Sequence, residues 1–330
     1  MVTWRDNLIN SEEPQERRHH HHHKRKKRTA LKVILIILGL FIVAGGVFAA
    51  KVYYDVNQTA NKIYKPKGKT QNKRRRNQKV DLKKKTPFSI LLLGTDTGEL
   101  GRTEKGRTDT MIVATVNPNT KETHMLSVAR DSRVNIVGAD QMGKINAAYA
   151  EGGVPMAINT VQAFLNIPID HYVLLNMKGL EELVDAVGGV TVNNDLDFTY
   201  SGHHFAKGDV TLDGPTALKF SRMRYDDPRG DFGRQLRQQE IIKAVLKKAT
   251  SMNIVTNYDN FLQVVETNMQ TDLTLKDIIQ IEQGYSSAMN FKTHQLKGTG
   301  QMIDGQSFQV MNDAEVSKAS AMLRQQLALK

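Results

Sequence analysis

The chain of 330 residues holds no cysteine, which excludes a disulfide framework and thiol chemistry. Its formal charge of +12 is unevenly spread: residues 1–86 carry 22 Lys and Arg against 6 Asp and Glu, and residues 87–330 carry 24 against 28. The C-terminal bulk is therefore mildly acidic, which argues against a nucleic-acid-binding domain there, and its length allows one large domain or two small ones.

Residues 1–32 read as a short basic tail ending in KRKKR (24–28) and Lys32. The pentahistidine at 19–23 is either a metal-binding tract, low-complexity sequence or a tag, and carries no fold information. Val33 to Ala50 is an eighteen-residue run without charge, extended by Val52, Tyr53 and Tyr54. The spacing predicts one transmembrane helix over 33–54, with tyrosines at the interface. The denser basic flank precedes it, so the N-terminus is expected in the cytoplasm and the following mass outside a cell membrane. A cleaved signal peptide ending near Val47-Phe48-Ala49 is the alternative; the length of the run favours an uncleaved anchor. Residues 55–86 are polar and basic and predict a solvated linker. Attraction of that linker to anionic lipid or wall polymer is a second reading, a plain spacer the simpler one.

At Pro87 the composition changes. FSILLLGTD reads as a buried strand ending in a turn, and MIVATVNP and THMLSVARD as two strands joined through Asn117-Pro118-Asn119-Thr120. KINAAYAEGG and VPMAINTVQAFLN read as helical, HYVLLNM as a strand, KGLEELVDAVGG as a helix closed by glycine and VTVNN as a strand. GPTALKFSRMR opens a helix, Gln238 to Thr250 is another, and DLTLKDIIQIEQG and NDAEVSKASAMLRQQLAL close the series. This alternation predicts a single α/β domain over 87–330, layered around a mixed central sheet.

The chemistry-bearing residues fall at the ends of these elements. Asp96 follows the first strand, where ligands gather in α/β sheets; an Asx-turn is its ordinary alternative. Arg107 and Asp109 precede the next strand and share a face if the chain is already extended there. Together with Asp96 they form either an ion pair or part of a divalent-cation site, since hard cations take one or two carboxylates plus phosphate oxygens. Arg130 and Asp131 stand at another strand end and Lys144 at a helix start. The stretch RMRYDDPRGDFGRQLRQQ, Arg222 to Gln239, holds five arginines and three aspartates in eighteen residues. Positions 234, 238, 241 and 245 form one helical stripe, so Arg234 and Gln238 continue the buried face of Ile241 and Val245. A buried arginine needs an anion. Asp96, Asp109 or Asp231 could supply it; a pyrophosphate with a divalent ion balances the arginine excess better, and bidentate phosphate binding suits guanidinium. No Walker loop, Gly-x-Ser-x-Gly elbow or His-Glu-x-x-His occurs, and His203-His204 reads as a surface loop.

An anchor followed by LLLGTD, GRTDTMIVATVNP, SVARD, KINAAYAEGG and RMRYDDPRGDFGRQLRQQ resembles the LytR–CpsA–Psr family. The motifs cover about residues 87–250, and 251–330 follow in general layout. The resemblance implies an α/β/α sandwich with an apolar groove for a polyprenyl chain. It further implies an enzyme, a Mg²⁺- or Mn²⁺-dependent phosphotransferase. Such an enzyme moves an anionic glycopolymer (teichoic acid or capsular polysaccharide) from undecaprenyl pyrophosphate to peptidoglycan, at a membrane and without nucleic acid. Carried onto this sequence, Asp96 and Asp109 are the metal carboxylates. Arg107, Arg130, Arg222, Arg224, Arg234 and Gln238 form the pyrophosphate set, joined by Lys144 and Arg237. Asp109, Asp231 and the arginines at 107, 130, 222, 224 and 234 are the catalytic candidates. Two other classes use the same features: a polyprenyl-pyrophosphate phosphatase with water as acceptor, and a membrane-bound envelope regulator. The latter has only about thirty residues ahead of the apolar run, too few for a DNA-reading domain.

Overall fold

The computed structural model describes residues 24–70, 76, 79–96, 106–139, 141–250 and 254–329; the pentahistidine lies outside them. The chain divides into two compact units, Met1–Tyr54 and Asp55–Lys330. Helix α1 spans Lys24–Ile63. In the smaller unit its described apolar side chains Ile36, Val43 and Val47 are 62–66% exposed. Among the described residues no helix is long and apolar enough to cross a membrane. Nine side chains of the expected span, including 33–35 and 40–42, fall outside that description.

In the larger unit, β1 (Phe88–Thr95), β2 (Thr108–Asn117) and β3 (Glu122–Val128) form an antiparallel meander. The hairpin β4 (Arg133–Ile136)–β5 (Gln141–Lys144) leads into α2 (Ala147–Leu165). Next come β6 (His171–Asn176), α3 (Met177–Ala186) and β7 (Val190–Asn194). The hairpin β8 (Phe198–Tyr200)–β9 (His203–Phe205) follows, then β10 (Gly208–Leu212), which pairs back to β7. Helices α4 (Gly214–Arg222), α5 (Asp231–Thr250) and α6 (Ile254–Asn268) precede β11 (Met269–Thr271) and α7 (Leu275–Tyr285). The chain ends with β12 (Asn290–Leu296), the hairpin β13 (Thr299–Ile303)–β14 (Gln306–Val310) and α8 (Asp313–Gln326).

The central six-stranded sheet has the order β11-β6-β1-β2-β3-β12. It is mixed, because β6 runs parallel to β1 and β12 parallel to β3. Successive strand residues point to opposite faces. Leu91, Leu93, Met111 and Val113 pack with Ile158 and Val161 of α2 and Leu323 of α8. The intervening Leu92, Ile112 and Ala114 pack on the other face against Ile242 of α5. Helices on both faces make the α/β/α sandwich expected from the sequence.

Local signals set the helix ends. Asp213 and Thr216 form a capping box on α4 beside Pro215, and Thr274 with Asp277 does the same for α7. The two helical stretches expected around Glu151 are one element broken at Gly153, whose φ of 66° only glycine adopts readily. His203 and His204 lie in β9 rather than a loop, with His204 exposed and paired to Asp197.

The described parts of 55–86 are not a solvated spacer. Ile63 packs with Leu183, Ala186, Val264 and Val265. The backbone N–H of Lys65 donates to Thr271 O at 2.8 Å, and Tyr172 Oη donates to Lys65 O at 2.8 Å. Arg76 meets Asp170 at 2.9 Å with both side chains buried. The sequence reading missed this because each contact joins the basic segment to a strand or helix remote along the chain.

Candidate active site

β1 and β3 end, and β2 begins, at one edge of the sheet, because β2 runs antiparallel to both. Gln295 near the end of β12 donates to Phe232 O at 2.6 Å, which brings the start of α5 to that edge. The register between β1 and β2 slips there: Gly94 faces Thr110 while Thr95 faces Thr108. Asp109 is the extra residue of this bulge, and bulges re-aim side chains at sheet rims. A Cβ on Gly94 would lie 2.8 Å from Thr110 Cβ, so the close approach requires glycine. Arg107 stands exposed just before β2, and Asp109 is half-buried within it. Asp96 follows β1 directly at the same edge.

Arg130, in the turn after β3, meets Asp109 Oδ1 at 2.9 Å. Across from it, at the N-terminus of α5, Arg234 Nη2 lies 2.5 Å from Asp231 Oδ1 and Arg224 Nε lies 3.8 Å from the same oxygen. Gln235 Nε2 donates to Asp231 Oδ2 at 3.1 Å. These groups share one field. Burial works against the charge of Arg130, yet Asp109, Asp231 and Asp131 hold its pKa above the ordinary value. Arg234 goes the other way: burial, with Arg130 and Arg224 nearby, holds its pKa below the ordinary value despite Asp231 and Asp109. Three guanidiniums thus share one field with Asp109, Asp131 and Asp231. Arg234 is 8% exposed, and its Nε is buried without a hydrogen-bond partner. Gln238, one turn further along α5, is buried on the same face, and Arg222 is half-buried at the end of α4.

The remaining arginines of the stretch do something else. Arg237 was expected to bind pyrophosphate; instead its guanidinium is 3% exposed and engaged by the protein. It donates to Asp227 Oδ2 at 2.6 Å, to Met223 O at 2.5 Å and to Phe220 O at 3.1 Å. The rings of Phe198 and Phe220 lie 5.3 and 5.9 Å from it. Arg229 forks onto Asp195 at 2.5 and 3.0 Å and onto Asp227 at 2.9 Å through Nε and Nη2. Burial alone would raise the Asp227 pKa; the hydrogen bonds from Arg229 and Arg237 overcome it and bring it down to about 2. A Cβ on Gly233 would fall 1.8 Å from Asp227 Oδ2, so only glycine fits under this carboxylate. The clamp fixes the loop between α4 and α5. Sequence reasoning missed it because Asp195 arrives from the end of β7, with no signal in the motif itself.

Lys144 ends β5, and its ammonium sits 5.5 Å over the Phe308 ring. Asp131 has a buried Oδ1 without a hydrogen-bond partner. Among the described residues no group of three or more His, Asp or Glu side chains could hold a metal ion by itself. A cavity of about 560 Å³ opens between the end of α2 and α8, lined by Phe164, Leu165, Val316, Ala321 and Leu329; none of the clustered arginines lines it.

The chain matches the LytR_cpsA_psr family over residues 50–325 and belongs to that family. It is 48% identical over 296 residues to a polyisoprenyl-teichoic acid–peptidoglycan teichoic acid transferase TagU of Enterococcus faecalis, covering 89% of this chain and 96% of the relative. A protein of the same name from Bacillus anthracis is 42% identical over 293 residues, covering 88% of this chain and 95% of that one. The crystal structure of B. subtilis TagU superimposes with a TM-score of 0.62 at 39% identity, covering 74% of this chain and 99% of that chain.

Proposed function

We propose that the chain transfers teichoic acid from a polyprenyl carrier to peptidoglycan, and that the arginines gathered around Asp231 and Asp109 hold the carrier's pyrophosphate. The transferase names of the relatives support the reaction. The observation that carries the site is the buried Arg234, whose Nε has no hydrogen-bond partner and whose charge is opposed by the neighbouring Arg130 and Arg224. A desolvated cation without full pairing is costly, and a bridging dianion would complete it. The N-terminus of α5 adds favourable dipole.

In this reading a peptidoglycan hydroxyl attacks the phosphorus that carries the glycan. A new P–O bond forms, the bond to the bridging oxygen breaks, and polyprenyl phosphate leaves. Arg130, Arg224 and Arg234 stabilise the charge that develops on the phosphoryl oxygens. Asp109 or Asp231 accepts the hydroxyl proton. Asp96 and Asp109, at the adjoining ends of β1 and β2, would hold a Mg²⁺, since such an ion needs only one or two protein carboxylates beside phosphate oxygens. When bound it would neutralise phosphate charge. The apolar run 33–54 is proposed as a membrane anchor with the larger unit outside, a reading its exposed Ile36, Val43 and Val47 support.

Product analysis tests the reaction. Purified full-length chain, a lipid-pyrophosphate-linked glycan and peptidoglycan should yield polymer joined to the wall through a phosphodiester. Free polymer phosphate with no wall linkage would favour a phosphatase instead.

A further inference from the structure

Tyr225 is 88% exposed, and among the described large apolar side chains of this unit Met302 at 69% and Met142 at 51% follow it. It lies in the loop between α4 and α5, one residue after Arg224. The Asp227 N–H donates to Arg224 O at 3.4 Å, so Tyr225 and Asp226 form the corner of a turn. Turn chemistry favours Gly, Pro, Asn, Asp or Ser at such corners, and nothing in it calls for an aromatic ring. The corner is rigid, because the Asp227–Arg229–Arg237 clamp holds the next residues in place. The ring is also tied to the phosphate cluster: the Arg224 guanidinium lies 5.5 Å from its centroid and its Nε is 3.8 Å from Asp231.

We propose that Tyr225 is a stacking platform for a sugar ring of the transferred glycan, next to the pyrophosphate. The inference rests on the phosphate reading of the Arg234 cluster. A sugar is one bond from the phosphate it carries, so an aromatic face one residue from a phosphate-binding arginine is placed to meet it. Sugar rings present apolar C–H faces and polar edges, which suits a ring with an apolar face and a hydroxyl rim. A prenyl chain would instead take a concave, dry surface, whereas this ring stands open to water.

The test compares two probes by calorimetry on the detergent-solubilised full chain: farnesyl pyrophosphate, and the same lipid pyrophosphate carrying a disaccharide. Tyr225→Ala should weaken the glycosylated probe by about 3- to 10-fold, the scale of one aromatic stacking contact, and leave farnesyl pyrophosphate unchanged. Tyr225→Trp should keep the sugar-dependent gain. Equal weakening of both probes would assign the ring to the lipid or to loop geometry and overturn the platform. No change with either probe overturns it as well. Arg234→Met separates the two ideas, since it should weaken both probes. If it weakens neither, the phosphate reading fails, and the platform with it.

Discussion

Two carboxylates four residues apart in one motif, Asp227 and Asp231, each hold a pair of arginines in different ways. Asp227 is fully buried, and its oxygens take three guanidinium N–H groups from Arg229 and Arg237 and the backbone N–H of Arg229. Arg237 completes its own hydrogen bonding on the carbonyls of Phe220 and Met223. Asp231 meets one arginine closely and a second only at 3.8 Å, while Arg234 keeps a buried N–H without a partner. The first network is closed, and closure fixes a loop. The second is open: Arg234 Nε and Asp231 Oδ1 are both buried without a hydrogen-bond partner, and that incompleteness is what a ligand can fill. Arginine content alone does not distinguish them; the completeness of their hydrogen bonding does.

The largest effect should come from opening the closed network. Asp227→Asn leaves Arg237 buried with no counter-charge and should lower stability by about 3–5 kcal/mol, read as the midpoint of thermal or urea unfolding. If the variant melts with the parent, the clamp does not hold the loop.

Arg234→Lys keeps the charge and loses the fork. Transfer should fall by roughly one to three orders of magnitude, the scale of one lost transition-state donor, with little change in melting temperature. Normal transfer with a much lower melting point would place Arg234 with Arg237 as a structural residue.

The smallest effect concerns acid. The folded pKa of Asp227, about 2, lies below its unfolded value, so its contribution is present above the unfolded pKa and is lost as pH falls through the folded one. Stability of the parent should drop between roughly pH 4 and pH 2, by about 2 kcal/mol from this group. Asp227→Asn should remove that part of the slope, as followed by unfolding midpoints across the window. A parent and variant with parallel profiles would assign the acid sensitivity to other carboxylates.

Much of this comparison was legible in the sequence, and the limits are physical. The stripe of Arg234, Gln238, Ile241 and Val245 predicted one buried face; the first three are buried, and Val245 is half-buried against the same cluster as Ile241. Helical period says which face a residue takes but not which carboxylate meets it. Arg234 and Arg237 are therefore alike in sequence and divided in space by the path of the loop. The bulge at Asp109 was equally hidden, because GRTDT reads the same with or without a register slip. β12 carries few apolar residues and exists through its pairing with β3, a contact between segments far apart in the chain. The alternation of strands and helices predicted the layered α/β class because burial on two faces leaves a local pattern; Arg76 with Asp170 leaves none.

Thermal unfolding of Arg234→Met, with and without farnesyl pyrophosphate, tests the central claim most directly. Arg234 meets Asp231 at 2.5 Å, and removing one partner of a buried pair is itself destabilising, so the shift that the ligand induces, rather than the melting point of the free variant, is the readout. The lipid pyrophosphate should raise the melting point of the parent and leave that of the variant unchanged. A variant that the ligand stabilises to the same extent as the parent would show that the Asp231 cluster serves the fold and that the pyrophosphate sits elsewhere.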